Sequence, residues 1–382
     1  MTPDVTRKPR IYFDHNASAP LREAALAAMV HALEAQGNPS SVHGEGRALR
    51  RIIEDAREEV AALVHATPAE VVFTSGASEA NNWVLNAGWD RIYVFGLEHE
   101  SVLAPARASG AEVINLPVAS DGTADLGAFA HHVLASATLP SRTLLTLQMA
   151  NSETGVIQDV AAAASFAREH AIAVHTDAVQ AAGRLPISFA DIGVDFLTLS
   201  SHKIGGPAGA GALVIRDGLT LPSLIAGGGQ ERRRRAGTEN AAAIAGFAAA
   251  ARIARGEVGE MTHIAALRDR LAGGILDILP GAVVIAGQST RLANTLSVAL
   301  PGEAAETSVI KLDLAGIAAS AGSACSSGKV GASHVLAAMG LDDTLARTTI
   351  RLSLGTSTTS AEIEDALERM NELWVATQRR VA

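Results

Sequence analysis

The chain holds 382 residues and carries 31 Lys and Arg against 40 Asp and Glu, a formal net charge of −9 at pH 7. Such a balance excludes a general attraction to nucleic acid or to an anionic membrane surface, with one local exception in the run Arg232 to Arg235. Hydrophobic residues at 48% and charged residues at 19% describe an ordinary globular protein, long enough for two domains, whose 3% of aromatics leave the core to aliphatic side chains.

The opening segment MTPDVTRKPRIYFDHN lacks an apolar stretch long enough for a secretory signal. No window reaches about 18 uninterrupted apolar residues, so no membrane span is expected. A single cysteine, Cys325, excludes an internal disulfide and fits a reducing cytoplasm; any thiol chemistry has one address. Leu49, Ile52, Ile53, Ala56, Val60, Leu63 and Val64 then mark one face of a helix by spacings of three and four.

Short apolar runs alternate with helical stretches beyond that point, at 71–73, 91–95, 112–116, 143–147, 171–175, 196–199 and 212–215. The alternation argues for an α/β fold, a mostly parallel sheet flanked by helices, with ligands outside the carboxyl ends of its strands. After the first run comes TSGASEANN. A strand, a Gly turn and a helix start would hold a phosphate, with the Ser75 and Ser78 hydroxyls as extra donors, although a plain strand-to-helix turn reads the same way. After the second, LEHESV offers His99 for proton transfer, or as a surface histidine between two glutamates. Asp177 closes AIAVHTD, where a carboxylate can pair with a cationic ring nitrogen or cap the next helix. Lys203 follows LTLSSH and precedes a Gly/Pro loop. Partial burial there would free its amine for a Schiff base, whereas a lone lysine after a strand is more often a solvated group. The ordered set is more telling than any member.

GGGQERRRRAGTEN supplies turns and anion donors, including Thr238, for a phosphate or carboxylate near the site or for a partner surface; it lacks the interleaved aromatics of a nucleic-acid patch. The texture changes after an alanine-rich helix over 241–254. Strands at 283–285, 295–300 and 349–354, a helix at 307–314 and a closing helix with Thr359 and Glu362 as capping box read as a smaller α+β domain. Inside it GSACSSGK places Cys325 among small polar residues near Lys329. A thiol with an ordinary pKa near ~8.5 is only a few per cent thiolate at neutral pH, so a neighbouring cation or base is required.

These motifs, from FDHNASAP at Asp14 to TTIRLSLG at Gly355, resemble in order and spacing the cysteine desulfurases of the NifS/IscS type, within the fold-type I pyridoxal-phosphate enzymes. The resemblance implies a seven-stranded, mostly parallel sheet in a large cofactor-binding domain over 17–256. It implies a small α+β domain over 1–16 and 257–382, carrying the cysteine loop at about 321–334. It also implies roles for single residues. Lys203 is expected to hold pyridoxal 5'-phosphate as a Schiff base, His99 to stack on its ring with an acid/base role, Asp177 to pair with the ring nitrogen and Gln180 to bond the phenolate oxygen. Ala77, Ser78, Ser200 and His202 match phosphate positions, and Thr238 one that reaches the phosphate from a neighbouring subunit, which implies a homodimer with shared sites. Arg351 matches the binder of the substrate carboxylate and Cys325 the nucleophile that takes sulfur from L-cysteine, leaving L-alanine. The length of the cysteine loop is that of the group that passes sulfur to a scaffold or carrier protein for iron–sulfur assembly or thiolation.

The chain departs from the family at Ser152, which aligns with a cofactor-contacting Asn, and at Ser201 and Gly205. A selenocysteine lyase, or another lyase or aminotransferase on the same cofactor, is the alternative within enzymes. A sulfur-delivery partner with slow catalysis, docking through its loop and arginine run, is the alternative outside them. No metal site and no nucleic-acid or membrane partner is expected.

Overall fold

The computed structural model of the protein describes residues 9–322 and 333–381, with side chains as far as Trp374; Cys325 and Lys329 lie outside the described residues. Its largest sheet has seven strands in the order Val71–Thr74, Gly211–Ile215, Phe196–Ser200, Ala173–Asp177, Thr143–Thr146, Arg91–Phe95 and Glu112–Leu116. The last five are mutually parallel, and Gly211–Ile215 runs antiparallel to both its neighbours. Alternation along each strand divides the apolar residues between two faces. Phe73, Tyr93, Phe95, Leu145 and Val214 enter one buried cluster, while Val72, Ile92, Val94, Leu144 and Leu213 enter another. A sheet covered on both faces is what a run of crossover helices produces.

The expected run 171–175 becomes the strand Ala173–Asp177, because Ala171 takes φ 55° in the turn after the helix Val160–Glu169. The shift puts Asp177 itself at the strand end. The alanine-rich helix runs on to Glu257, and its small residues let it sit close against the helix Glu23–Glu34: a Cβ on Gly246 would lie 2.7 Å from Met29 Cγ. This is how a core poor in aromatics fills its volume.

A four-stranded antiparallel sheet, ordered Ser320–Ala321, Thr349–Ser353, Thr295–Ala299 and Val283–Val284, holds a third cluster that Ile11 and Phe13 join from the other end of the chain. The closing helix Ser360–Val381 starts on the expected capping box, Glu362 N donating to Thr359 Oγ1 at 3.2 Å and Thr359 N to Glu362 Oε2 at 2.8 Å. Among the described residues no helix is long and apolar enough to cross a membrane.

The arginine run sits on a strained turn. Glu231, Arg232 and Arg233 have φ of 44°, 55° and 65°, a left-handed stretch without glycine. A buried ion pair holds it: Arg57 donates to both oxygens of Glu231 at 2.7 and 2.8 Å, and Phe73 N donates to Glu231 Oε2 at 2.9 Å. Glu231→Ala would leave the buried Arg57 with only the half-exposed Glu54 as an ionic partner, 3.1 Å from its Nε, so we expect a loss of about 3 kcal/mol, read as a lower urea midpoint and melting temperature.

Candidate active site

Loops at the carboxyl edge of the large sheet enclose a cavity of about 540 Å³. Its anion-binding end is built at the helix Ala77–Leu85, which only Ser75 and Gly76 separate from the strand Val71–Thr74. Gly76, its N-cap, offers no side chain to the first N–H groups, and Ala77 and Ser78 line the cavity there. Those donors, with the positive end of the helix dipole behind them, are left for an external anion. A Cβ at Gly76 or Gly209 would meet nothing within 4 Å, whereas one at Gly211 would lie 2.7 Å from Gly76 Cα, so glycine is what lets this strand approach the turn. Ser200 and His202 complete this end. Burial, followed by the charge of Lys203, lowers the His202 pKa to about 4, so its ring is neutral near pH 7 and keeps an N–H to donate. Ser75 does less than the sequence suggested, since its hydroxyl donates to Glu79.

Asp177 stands on the floor, 8% exposed. Its Oδ1 accepts Val179 N at 3.0 Å, the local turn that sequence allowed, and its Oδ2 accepts Asn81 Nδ2 at 2.8 Å. Asn81 also donates to Ser101 Oγ at 2.9 Å, which leaves that hydroxyl to donate to His99 Nδ1 at 2.8 Å. His99 caps the helix Glu100–Ala108, Nδ1 also accepting Ser101 N at 3.1 Å. We therefore assign its proton to Nε2 in the neutral ring. A chain of three hydrogen bonds thus joins the two residues that the sequence put forward separately. Asn81 was inside a quoted motif and was missed; its place one helical turn after Ala77 was the available signal.

Lys203 ends the single turn Ser201–Lys203 after the strand Phe196–Ser200. Its Nζ donates to the main-chain oxygens of Asn16 at 2.6 Å and Ala17 at 2.9 Å, neutral acceptors that suit an amine or an ammonium. Gln180 is buried, Nε2 donating to Asn16 O at 3.1 Å. Ser152 lines the cavity and accepts Arg351 Nη1 on its main-chain oxygen at 3.0 Å. Arg351, 2% exposed, pairs through Nη2 with Asp14 at 2.8 Å. Thr238 is exposed and does not line the cavity. The arginine run touches the site at one point: Arg235 pairs at 3.0 Å with Glu79, which lines the cavity, whereas Arg232 bonds the carbonyl of Ala69.

Directly before His99, the fully buried Glu98 accepts Gln148 N at 2.6 Å. Burial pushes its carboxyl up to about 8; the Gln148 bond opposes the rise and the Asp177 charge adds to it. The folded state then keeps a proton that the unfolded state gives up, so this group's contribution to stability falls as pH rises from 4.5 to about 8. Glu98→Gln, neutral throughout, is expected to melt a few degrees above the parent at pH 8 and to lose that margin by pH 4.5; melting curves at both pH values check it.

One cavity thus unites an anion cradle, a buried carboxylate, an amine and a buried arginine. Aminotransferase class-V, a family of pyridoxal-phosphate enzymes, matches residues 11–366. A cysteine desulfurase of Cereibacter sphaeroides is 41% identical over 371 residues, covering 94% of each chain. The structure of a NifS-like protein from Rickettsia africae superposes with a TM-score of 0.88 at 32% identity, over 96% of this chain and 99% of that one. SspA in complex with cysteine gives a TM-score of 0.78 at 30% identity, over 91% and 100%. The chain belongs to the class-V aminotransferase family and, within it, to the cysteine desulfurases of the NifS/IscS type.

Proposed function

We propose that the protein uses pyridoxal 5'-phosphate to remove sulfur from L-cysteine, releasing L-alanine and keeping the sulfur as a persulfide on Cys325. The observation that carries this reading is the single cavity that joins Asp177, Lys203 and Arg351 to a helix N-terminus without a capping side chain. Its donor set fits the cofactor: N–H and hydroxyl donors from Ala77, Ser78, Ser200 and His202 suit a phosphate, the buried Asp177 suits a protonated ring nitrogen, and Lys203 suits an aldehyde. When bound, the cofactor supplies an electron sink that makes the bonds at the substrate Cα and Cβ easier to break.

Each side chain then has a defined task. Asp177, oriented by Asn81 and Val179 N, holds a proton on the ring nitrogen. His99, Gln180 and Ser152 line the same cavity, where His99 would pack against the cofactor ring and Gln180 and Ser152 would offer hydrogen bonds to its phenolate oxygen. Arg351 takes the substrate carboxylate through its planar fork, exchanging part of its bond to Asp14. Lys203 Nζ or His99 Nε2 moves the Cα proton. Cys325 Sγ, as thiolate, attacks the substrate sulfur; an S–S bond forms as the Cβ–S bond breaks. Cβ keeps the electron pair and takes a proton, and the proton removed from Cα is returned to it, which leaves alanine.

Two further parts of the reading concern partners. Thr238, exposed and away from its own cavity, is assigned to the phosphate of a second subunit in a homodimer. The exposed Leu26, Val30 and Leu33 on the helix Glu23–Glu34 give such a partner an apolar stripe to cover. The persulfide passes to a scaffold or carrier protein for iron–sulfur assembly or thiolation, in a reducing cytoplasm where a lone thiol persists. The test is a visible spectrum of the purified protein, then addition of sulfur-labelled cysteine and mass analysis of the peptide holding residue 325. A spectrum that cysteine alters, with label on that peptide, is expected. A colourless protein, or label elsewhere, would defeat the reading. Relative rates on cysteine, cysteine sulfinate and selenocysteine separate it from a selenocysteine lyase.

A further inference from the structure

Two carboxyl groups outside the expected site, Asp14 and Glu153, flank Arg351 and reach the two ends of the segment in which Cys325 falls. At the leading end, Ser320 and Ala321 pair with the strand Thr349–Ser353, and Ser320 stands opposite Arg351. One oxygen of Asp14, Oδ1, accepts both Ser320 Oγ and Arg351 Nη2, each at 2.8 Å. At the trailing end, Ser333 caps the helix His334–Ala338, its Oγ accepting Leu336 N at 3.2 Å and donating to Glu153 Oε2. Glu153 follows Ser152, whose carbonyl accepts Arg351 Nη1 at 3.0 Å. A Cβ on Gly322 would stand 3.4 Å from Glu153 Oε2, so both described ends of the segment converge on this one carboxyl, itself 6% exposed.

Burying a carboxyl costs free energy unless a bond compensates. Burial pushes the Glu153 carboxyl up, against the Ser333 hydroxyl and the charges of His334, Arg351 and His99. Among the described residues its side-chain bond is to Ser333, not to the sheet or to the cavity. His334 Nε2 adds a second fastening at this end, 2.9 Å from the main-chain oxygen of Glu98, the residue before His99. The contacts therefore form one connected path: Ser320, Asp14, Arg351, the turn at Ser152 and Glu153, and Ser333.

We propose that Asp14 and Glu153 are positioning residues that tie both ends of the cysteine-bearing segment to Arg351, so that the arginine taking the substrate carboxylate also sets where the thiol is presented. This inference rests on the function proposed above and adds the means by which substrate binding and nucleophile placement are linked.

The test uses the cofactor-loaded full-length protein in single turnovers, with two readouts: the cysteine-induced change in the visible spectrum, and the persulfide on Cys325 in quenched samples. Ser320→Ala, Ser333→Ala and Glu153→Met are expected to show the parental dependence of the spectral change on cysteine concentration. They are expected to form persulfide about ten to a hundred times more slowly, the size of effect that a misplaced reactant produces. Ser333→Thr, which restores the hydroxyl, is expected to recover the parental rate. Parental persulfide rates in Ser333→Ala and Glu153→Met overturn the proposal, and so does a Ser333→Thr variant as slow as Ser333→Ala, because the role is then one of packing alone. A parent protein whose spectrum cysteine leaves unchanged defeats the underlying functional reading instead, and is recognised before any variant is compared.

Discussion

Cys325→Ser is expected to retain the cofactor's visible band and to lose cysteine-dependent sulfur release by about a thousandfold or more, the scale at which nucleophile removal acts. The chain has one cysteine, so no second thiol can substitute. A serine hydroxyl at that position is almost wholly protonated at neutral pH and cannot hold sulfur in an S–S bond. Cysteine is itself a few per cent thiolate at pH 7 when unperturbed, so the parental rate should rise with pH as the thiol ionises, until another group limits. The decisive comparison is between binding and transfer. The serine variant should still show the spectral change on cysteine addition, because none of the side chains assigned to cofactor or substrate carboxylate is altered. Normal sulfur release from it would remove Cys325 from the mechanism, whatever the spectrum shows.

His99, Asp177 and Lys203, which sequence reasoning found, share one property: each stands at or just past the end of an apolar run. Asp177 and Lys203 follow strands whose burial the sequence announces, and the edge rule for parallel sheets then places them in one region. Seven strands were legible for the same reason, with errors of one or two residues where a local feature intervened, as at the left-handed Ala171. What escaped reading was the connections between such residues. Asn81 links Asp177 to Ser101 from 96 and 20 residues away, and Asp14 meets Arg351 across 337 residues. A polar side chain with a distant partner leaves no periodic trace in a sequence. The placing of the arginine run escaped reading in the same way: the turn beneath it is fixed by Glu231 against Arg57, and its last member, Arg235, pairs with Glu79 at the cavity wall. Thr238 is a different kind of case, since a residue assigned to a neighbouring subunit's site has no place in a single chain's cavity.

Lys203→Ala is expected to abolish the covalently held cofactor's visible band and to lower turnover by about a thousandfold or more, through loss of both the covalent anchor and a proton carrier. The surroundings of the amine make the effect specific. Its Nζ lies between the carbonyl oxygens of Asn16 and Ala17, which it can leave at modest cost when it reacts. In the alanine variant Asn16 O keeps its bond from Gln180 Nε2 while Ala17 O loses the Lys203 donor, and a partly buried carbonyl left without a partner costs about 1–3 kcal/mol. A fall in melting temperature alone would thus say nothing about catalysis. The informative measurement is cofactor retention on dialysis together with the spectrum. Ala77, Ser78, Ser200, His202 and Asp177 all remain in the variant, so it should still bind added pyridoxal phosphate, now reversibly and as the free aldehyde. Reversible binding with no turnover on cysteine assigns Lys203 to the chemistry. A visible band that survives dialysis in the alanine variant would show that another amine holds the cofactor, and the whole placement of the site at this edge of the sheet would have to be given up.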